Sequence, residues 1–131
     1  MADFRKLLVW QKAHALSLRA DQSAKKIARQ KPSLAKQLER AADSVPANIA
    51  EGRGRSTDAD FAHFLSIAIG SVTEVENHLQ RAYDGGLIPV DEHTELTDAA
   101  IEVRRMLIGL RRTLSGQPRA ANSREANIGE N

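Results

Sequence analysis

Residues 57–84 read TDADFAHFLSIAIGSVTEVENHLQRAYD, and this stretch decides the fold. Its apolar residues recur at alternating steps of four and three: Phe61, Leu65, Ala68, Val72, Val75, Leu79 and Ala82. That spacing places them all on one face of an α-helix, as in a heptad seam. Thr57 suits the N-cap, with Asp60 at the capping-box position that Glu usually holds. The stretch therefore predicts a long helix that ends at Asp84-Gly85-Gly86 and buries one stripe.

Three further segments repeat this periodicity. Asp3 can cap a first helix from about Phe4 to Arg29, whose stripe is Val9, Ala13, Leu16, Ala20, Ala24 and Ile27, widened by Phe4, Leu7, Leu8 and Trp10. A second helix carries Leu34, Leu38, Ala41, Val45 and Ile49. A fourth, introduced by Pro89 and closed by Gly116, carries Leu96, Ala100, Val103, Leu107, Leu110 and Leu114. Four long helices with short connections predict an all-α protein, an antiparallel up-down-up-down four-helix bundle.

The second helix has two features that need a local explanation. Pro32 disfavours helix at Lys31 and leaves Ser33 as the expected N-cap. Pro46 lies inside the apolar pattern, so we expect a kink there rather than an end, since the pattern continues until Gly52-Arg53-Gly54-Arg55-Ser56. Asn48 and Glu51 either satisfy the backbone that the proline frees or face a subunit interface. In the third helix, Gly70 predicts the close approach of a neighbouring helix.

Composition and chain organisation narrow the class of protein. The bundle is expected to occupy residues 1–116, and the polar residues 117–131 are expected to form a disordered tail. The absence of cysteine excludes disulfides, thiolate zinc sites and cysteine nucleophiles. The first residues lack the apolar core of a secretory signal, and no apolar run approaches the ~18 residues of a membrane span. We therefore expect a cytoplasmic protein.

Charge is distributed unequally along the chain. Residues 1–55 contain 12 Lys and Arg against 5 Asp and Glu, whereas residues 56–131 contain 7 against 12. This asymmetry fits an anionic partner or head-to-tail self-association of copies. It fits equally well with halves that neutralise each other inside one bundle.

No catalytic or metal-binding constellation is evident. Di-iron bundles need Glu-x-x-His pairs, and position 75, which would serve His78, holds Val75. Glu74 and His78 are expected to form only a surface pair. There is no Gly-x-Ser-x-Gly motif, and Gly52-Arg53-Gly54-Arg55 lacks the ending of a phosphate loop. We therefore predict no enzyme activity, no metal and no cofactor.

The basic residues of the first half are the candidate phosphate contacts. They are Lys25, Lys26, Arg29, Lys31, Lys36, Arg40, Arg53 and Arg55. If the first two helices are antiparallel, the cations from Lys25 to Lys36 gather at one end of the bundle and the Arg53/Arg55 turn lies at the other. No aromatic residue interleaves these charges in sequence, so recognition of a nucleic-acid backbone is favoured over base stacking. Ordinary solvated helix faces are the alternative interpretation.

Several motifs resemble a known family. Phe4-x-x-Leu7-x-Val9-Trp10-x-x-Ala13 opens the chain, and Gln37-x-x-Arg40-Ala41-Ala42-x-Ser44-Val45-Pro46-x-Asn48-Ile49-Ala50-Glu51-Gly52 follows. Phe61-x-x-Phe64-Leu65-x-x-Ala68-x-Gly70-Ser71 and Glu74-x-Glu76 complete the pattern. Over about residues 4–114 the chain resembles the four-helix-bundle proteins encoded in intervening sequences of bacterial 23S ribosomal RNA genes. The same superfamily includes the accessory protein of diversity-generating retroelements.

The resemblance implies a homopentamer around a central channel and a role with RNA or a nucleoprotein. Glu39 beside Arg40 and the acidic second half depart from what a dedicated RNA binder should show. Our leading hypothesis is a non-catalytic, oligomeric protein that binds RNA through basic surfaces. The alternative is a structural or adaptor oligomer, assembled by docking of the basic half of one copy on the acidic half of the next, with no nucleic-acid role.

Overall fold

The computed structural model describes residues 3–116, which form four α-helices and no strand. The helices are α1 (Leu8–Ile27), α2 (Pro32–Arg53), α3 (Asp58–Asp84) and α4 (Val90–Leu114), and a 3-10 helix (Phe4–Lys6) precedes them. Each α-helix packs against the next along the chain, and α1 also packs against α4. The predicted all-α, four-helix architecture is confirmed.

Contacts between helices pair early residues of one with late residues of the next. Between α1 and α4, Lys12 meets Glu102, Arg19 meets Glu95 and Ser23 meets Glu92. Ser44 of α2 bonds Ser71 of α3, and Gly52 near the end of α2 lies against Phe61 near the start of α3. Between α3 and α4, Ser66 bonds Arg111 and Glu76 bonds Arg104. Packed neighbours therefore run antiparallel, as loops too short for a crossover require.

The predicted apolar stripes form the core. All seven seam residues of α3 are buried, from Phe61 to Ala82, and so are the predicted stripes of α1 and α2. On α4, Leu96, Ala100, Val103 and Leu107 are buried, whereas Leu110 and Leu114 are only partly so. Fully burying one Leu or Val side chain contributes about 1.5–3 kcal/mol, so these stripes supply the main stabilisation.

The start of the first helix differs from the expectation. Leu7 is extended (φ −74°, ψ 122°) and separates the 3-10 helix from α1, so Asp3 caps the short helix by accepting a bond from the Arg5 amide at 3.0 Å. The 3-10 helix packs on both α1 and α2. Phe4, Leu7 and Trp10 are partly buried, but Leu8 is 56% exposed, so it does not widen the stripe as predicted.

The two prolines of α2 have different roles. Pro32 is the first residue of the helix and Lys31 is its N-cap, so the prediction of a Ser33 cap is wrong. The fixed φ of proline suits the first helical position, where no amide donor is needed. Pro46 is buried inside α2 and the helix continues beyond it to Arg53. The Asn48 side chain donates to the Ser44 carbonyl at 2.8 Å and to Ser44 Oγ at 2.9 Å. The carbonyl that loses its donor to Pro46 is that of Ala42, so these bonds do not satisfy the group that the proline frees.

Close helix packing occurs at a different glycine from the one expected. Nothing lies within 4 Å of a Cβ placed at Gly70, so the prediction of a close neighbour there is wrong. At Gly52, the same Cβ would lie 2.8 Å from Phe61 Cδ1 and 2.8 Å from Phe64 Cβ. Gly52 is therefore the residue that lets the end of α2 approach α3.

Candidate nucleic-acid interface

Ion pairs along the α1–α4 contact use part of the basic half. The three cations lie seven residues apart on one face of α1, and the pairs are Lys12 with Glu102, Arg19 with Glu95 and Lys26 with Glu92. Most of these side chains are well exposed, so each pair stabilises the fold by only about 0–1 kcal/mol. At these three positions the basic half of the chain is neutralised by the acidic half within one molecule.

Glu92 has the least exposed side chain in this contact. Its carboxylate, 19% exposed, accepts hydrogen bonds from the Ser23 hydroxyl and the Lys26 ammonium. Burial alone would raise its pKa, but the bonds from Lys26 and Ser23 outweigh that effect and hold the pKa of Glu92 below its usual value. Lys26 is thus committed to a carboxylate, unlike its neighbours in the predicted set of phosphate contacts.

The remaining cations at that end form what we name the upper basic patch, made of Lys25, Arg29, Lys31, Lys36 and Arg40. All five residues are exposed, and none is in an ion pair within residues 3–116. Arg81, near the end of α3, lies beside the upper basic patch, because it lines the same groove as Lys31. Sequence reasoning missed Arg81, since it lies in the acidic half. The antiparallel order of α2 and α3 was the signal that could have placed it there.

A polar groove runs from this patch down between α2 and α3. Its upper part is lined by Lys31, Arg81 and Asn77, and its lower part by Arg40, Ser44, Ser71 and Glu74. Gln37 and His78 line both parts, which makes the groove continuous. Five polar residues of the motif segments that carried the family resemblance line this groove, and they come from two helices: Gln37, Arg40, Ser44, Ser71 and Glu74.

His78 lies in the wall of this groove rather than on the surface. Its side chain is 9% exposed, and among the described residues its buried Nδ1 atom has no hydrogen-bond partner. Burial lowers the pKa of His78, opposed by the nearby Glu74 carboxylate and aided by Arg81. The expected surface pair with Glu74 is therefore replaced by a buried, neutral imidazole.

The other two nominated cations lie at the opposite, lower end of the bundle. The guanidinium carbon of Arg53 is 6.0 Å from the centroid of the Phe61 ring, and that of Arg55 is 4.7 Å from the centroid of Phe64. Arg55 also pairs with Glu51 at 3.7 Å. In space, aromatic rings lie beside these two arginines, although no aromatic residue separates the basic residues in the sequence. The reason is that antiparallel packing brings the start of α3 next to the end of α2. Both rings belong to the bundle packing, and Phe61 is buried.

Acidic residues gather on the opposite flank of α2, facing α1. Asp21, Glu39 and Asp43 lie close enough that burial, followed by the charges of Asp43 and Glu39, raises the pKa of Asp21. Ser17 donates to Asp43 at 2.8 Å. The bundle therefore has an acidic cluster between α1 and α2, with Lys25 of α1 beside it, and a groove between α2 and α3 that Lys31, Arg40 and Arg81 line.

Residues 3–116 contain neither a candidate metal cluster nor a candidate membrane span. Within residues 3–116, no three His, Asp or Glu side chains are grouped so that they could hold a metal ion. In the same part of the chain, no helix combines the length and apolarity required to span a bilayer. The predicted disordered tail, residues 117–131, lies outside the described residues.

Comparison with known proteins places this fold in a family. No protein of curated function matches the sequence. The crystal structure of a protein of unknown function from the S23 ribosomal protein family of Bacteroides thetaiotaomicron VPI-5482 superimposes with a TM-score of 0.76 at 23% identity, covering 80% of this chain and 99% of that one. Residues 5–109 match the family described as 23S rRNA-intervening sequence protein. The chain belongs to this 23S rRNA-intervening sequence protein family.

Proposed function

We propose that this protein is a non-catalytic, oligomeric RNA-binding protein that holds the phosphate backbone of RNA on its upper basic patch. The observation that carries the proposal is the contrast between two sets of cations. Lys12, Arg19 and Lys26 are engaged by carboxylates of α4, whereas the five residues of the patch are exposed and have no ion pair among the described residues. Exposed, uncompensated cations are the groups that exchange counterions for phosphates.

Backbone recognition fits the chemistry of the patch better than base recognition. Lys25, Lys36 and Arg40 extend from helix surfaces, and Lys31 and Arg81 flank the mouth of the α2–α3 groove. Such cations bind phosphates with little regard to base sequence. We therefore propose structured RNA or a nucleoprotein as the partner, in the cytoplasm, with weak sequence preference and steep salt dependence.

We further propose a homopentamer as the working form, on the strength of the family resemblance. One chain offers only about five or six free cations at its upper end, which is a small surface for a polyanion. Repetition of the patch by several copies would raise the avidity without any new contact. Sedimentation or light scattering at moderate salt tests the oligomer, and a monomer at micromolar concentration would contradict it.

Binding of RNA can be tested with a matched pair of variants. A gel-shift series with structured rRNA fragments at rising salt should show binding that weakens as salt increases. Lys31→Ala/Lys36→Ala should reduce the slope of log affinity against log salt by roughly 1.4–1.8, since each phosphate contact contributes about 0.7–0.9. The control, Arg5→Ala/Lys6→Ala, removes the same charge from the 3-10 helix at the other end. No shift of RNA at low salt would end the proposal.

The alternative, a structural or adaptor oligomer assembled by charge docking, is favoured by one observation. The acidic cluster formed by Asp21, Glu39 and Asp43 could receive the upper basic patch of the next copy, although these three acids belong to the first half of the chain rather than to the acidic second half. Screening weakens such contacts, so light scattering in low and high salt discriminates between the two functions. Dissociation at high salt together with no RNA binding would establish charge docking in place of RNA binding.

A further inference from the structure

A second groove lies at the lower end of the bundle, between the start of α3 and the end of α4. It has a volume of about 430 Å³ and is lined by Ala62, His63, Ser66, Ile108, Arg111 and Arg112. We name it the arginine groove. None of these residues was nominated from the sequence.

The chemistry of the arginine groove is one-sided. Two guanidinium groups and an imidazole face it, and no carboxylate side chain is among the described residues that line it. The α1–α4 groove around Lys26, in contrast, is lined by Glu92 and Glu95 as well as by cations. A cavity with donors and without acidic acceptors is complementary to an anion.

The groove holds its first arginine in a defined position. Arg111 Nη1 donates to Ser66 Oγ at 3.3 Å, and the Ser66 hydroxyl donates in turn to the Ala62 carbonyl at 3.2 Å. Arg111 and Arg112 are both partly buried and lie in the last turn of α4, where the helix dipole favours cations. A partly immobilised guanidinium loses less entropy on binding and presents parallel N–H donors, the arrangement that suits phosphate.

The arginine groove lies near the Arg53/Arg55 turn, at the start of α3. His63, which lines the groove, makes an edge contact with Phe64 at 5.6 Å between ring centroids, and the Arg55 guanidinium lies over the Phe64 ring. Ile108 and Ala62 give the groove an apolar wall beside these charges. Cations next to an apolar wall fit a phosphate that carries an organic group, such as a ribose.

We infer that the arginine groove is a phosphate-binding site which, if the proposed function is correct, takes backbone phosphates of the RNA held at the upper basic patch. α2 separates the two ends of the bundle by roughly 33 Å, at about 1.5 Å per residue. A base-paired strand that contacts both sites would extend over about 10 nucleotides if its phosphates kept the ~3.4 Å spacing per strand of a B-form duplex. RNA shorter than this length reaches one site, and longer RNA gains the affinity of both.

The experiment combines a small phosphate probe with RNA of two lengths. Calorimetric titration with inorganic pyrophosphate measures the groove alone, and fluorescence anisotropy measures RNA of about 5 and about 20 nucleotides, lengths on either side of that span. Arg111→Ala/Arg112→Ala should abolish the pyrophosphate signal, reduce affinity for the longer RNA at least tenfold and remove its advantage over the shorter one. Arg111→Lys/Arg112→Lys, which keeps the charge and loses the planar fork, should bind pyrophosphate more weakly than the natural protein.

Controls separate this site from general charge and from the proposed function. Arg5→Ala/Lys6→Ala removes two cations from the same end outside the groove and should retain pyrophosphate binding, and thermal unfolding of every variant checks its fold. The inference is overturned if Arg111→Ala/Arg112→Ala binds pyrophosphate and long RNA as tightly as that control. If pyrophosphate binding depends on the two arginines but no RNA binds to the natural protein, the groove stands as a phosphate site and the proposed function falls.

Discussion

Two glycines of the bundle provide a matched test of its packing. Gly52 and Gly70 both lie inside helices with negative φ, so alanine meets no backbone strain at either position. They differ in what a side chain would touch. At Gly52 a Cβ would lie 2.8 Å from Phe61 Cδ1 and from Phe64 Cβ, whereas at Gly70 nothing lies within 4 Å.

The expected changes in unfolding free energy have opposite signs. Ordinary contacts of a Cβ begin at 3.4 Å, so at Gly52 both neighbours would have to retreat by about 0.6 Å. Neither can do so freely, because the Phe61 ring is 6% exposed in the core and the Phe64 Cβ is attached directly to the α3 backbone. Overpacking of this kind costs about 1–3 kcal/mol. The gain in helix propensity is ~1 kcal/mol at most and smaller here, one residue from the end of α2.

We therefore expect Gly52→Ala to destabilise the protein by about 1–2 kcal/mol and Gly70→Ala to stabilise it by about 0.5–1 kcal/mol. Urea unfolding followed by circular dichroism measures both, with all proteins at one concentration because oligomers are stabilised by mass action. Equal or greater stability of Gly52→Ala would refute the packing argument. Loss of stability in Gly70→Ala would show that the exposed face of α3 is covered in the assembled protein.

Three further predictions concern pH and capping. Glu92→Gln should cost about 1 kcal/mol at neutral pH, because Lys26 loses its ion-pair partner and Ser23 keeps only a neutral amide oxygen as acceptor. Since the folded pKa of Glu92 lies below its ordinary 4.5, this stability is present above that value and the difference between the two proteins should vanish in acid titrations of unfolding. The folded pKa of His78 also lies below its ordinary 6.5, so the natural protein should lose stability as pH falls below that value. His78→Leu, unfolded across the same pH range, should lack this part of the pH dependence. Identical slopes of unfolding free energy against pH in the two proteins would contradict the lowered pKa of a buried imidazole. Thr57→Ala should cost ~1 kcal/mol of stability, measured by thermal unfolding, because Thr57 Oγ1 accepts a hydrogen bond from the Asp60 amide as the N-cap of α3. The control is Thr113→Ala, which removes only an exposed hydrogen bond to the Gly109 carbonyl and should change the stability little.

The sequence contained the core of this bundle but not the contacts between its helices. The three-and-four spacing identified every buried seam residue of α3, since periodicity determines which face of a helix is apolar. Periodicity does not determine which residues of two helices stand opposite each other. For that reason the pattern could not place Phe64 next to Arg55, or show that Gly52 rather than Gly70 meets a neighbour. The end of α3 that carries Arg81 follows from the predicted antiparallel order, but its contact with the same groove as Lys31 does not.

The predicted boundaries of two helices were wrong, because more than one helix start was compatible with the local sequence. Ser33 is a good N-cap, but Pro32 suits the first helical position and starts the helix two residues earlier. The first apolar residues fit a helix, yet the helical conformation is interrupted at the extended residue Leu7, and the 3-10 helix before it packs on α2. Both differences are small shifts at helix ends, where few backbone hydrogen bonds favour one boundary over another.

The charge asymmetry of the sequence overstates the basic surface that is free to bind an anion. Counting by halves assigns Lys12, Arg19 and Lys26 to the basic surface, although each faces a carboxylate of α4. These pairs are weak individually, but they run along the contact that closes the bundle between its first and last helices. We therefore expect a change of Glu92, Glu95 or Glu102 to Lys to disturb this contact, which thermal unfolding would register as a lower melting temperature. The cations that remain lie at the two ends of the bundle, and substitutions there are the ones that separate binding from folding.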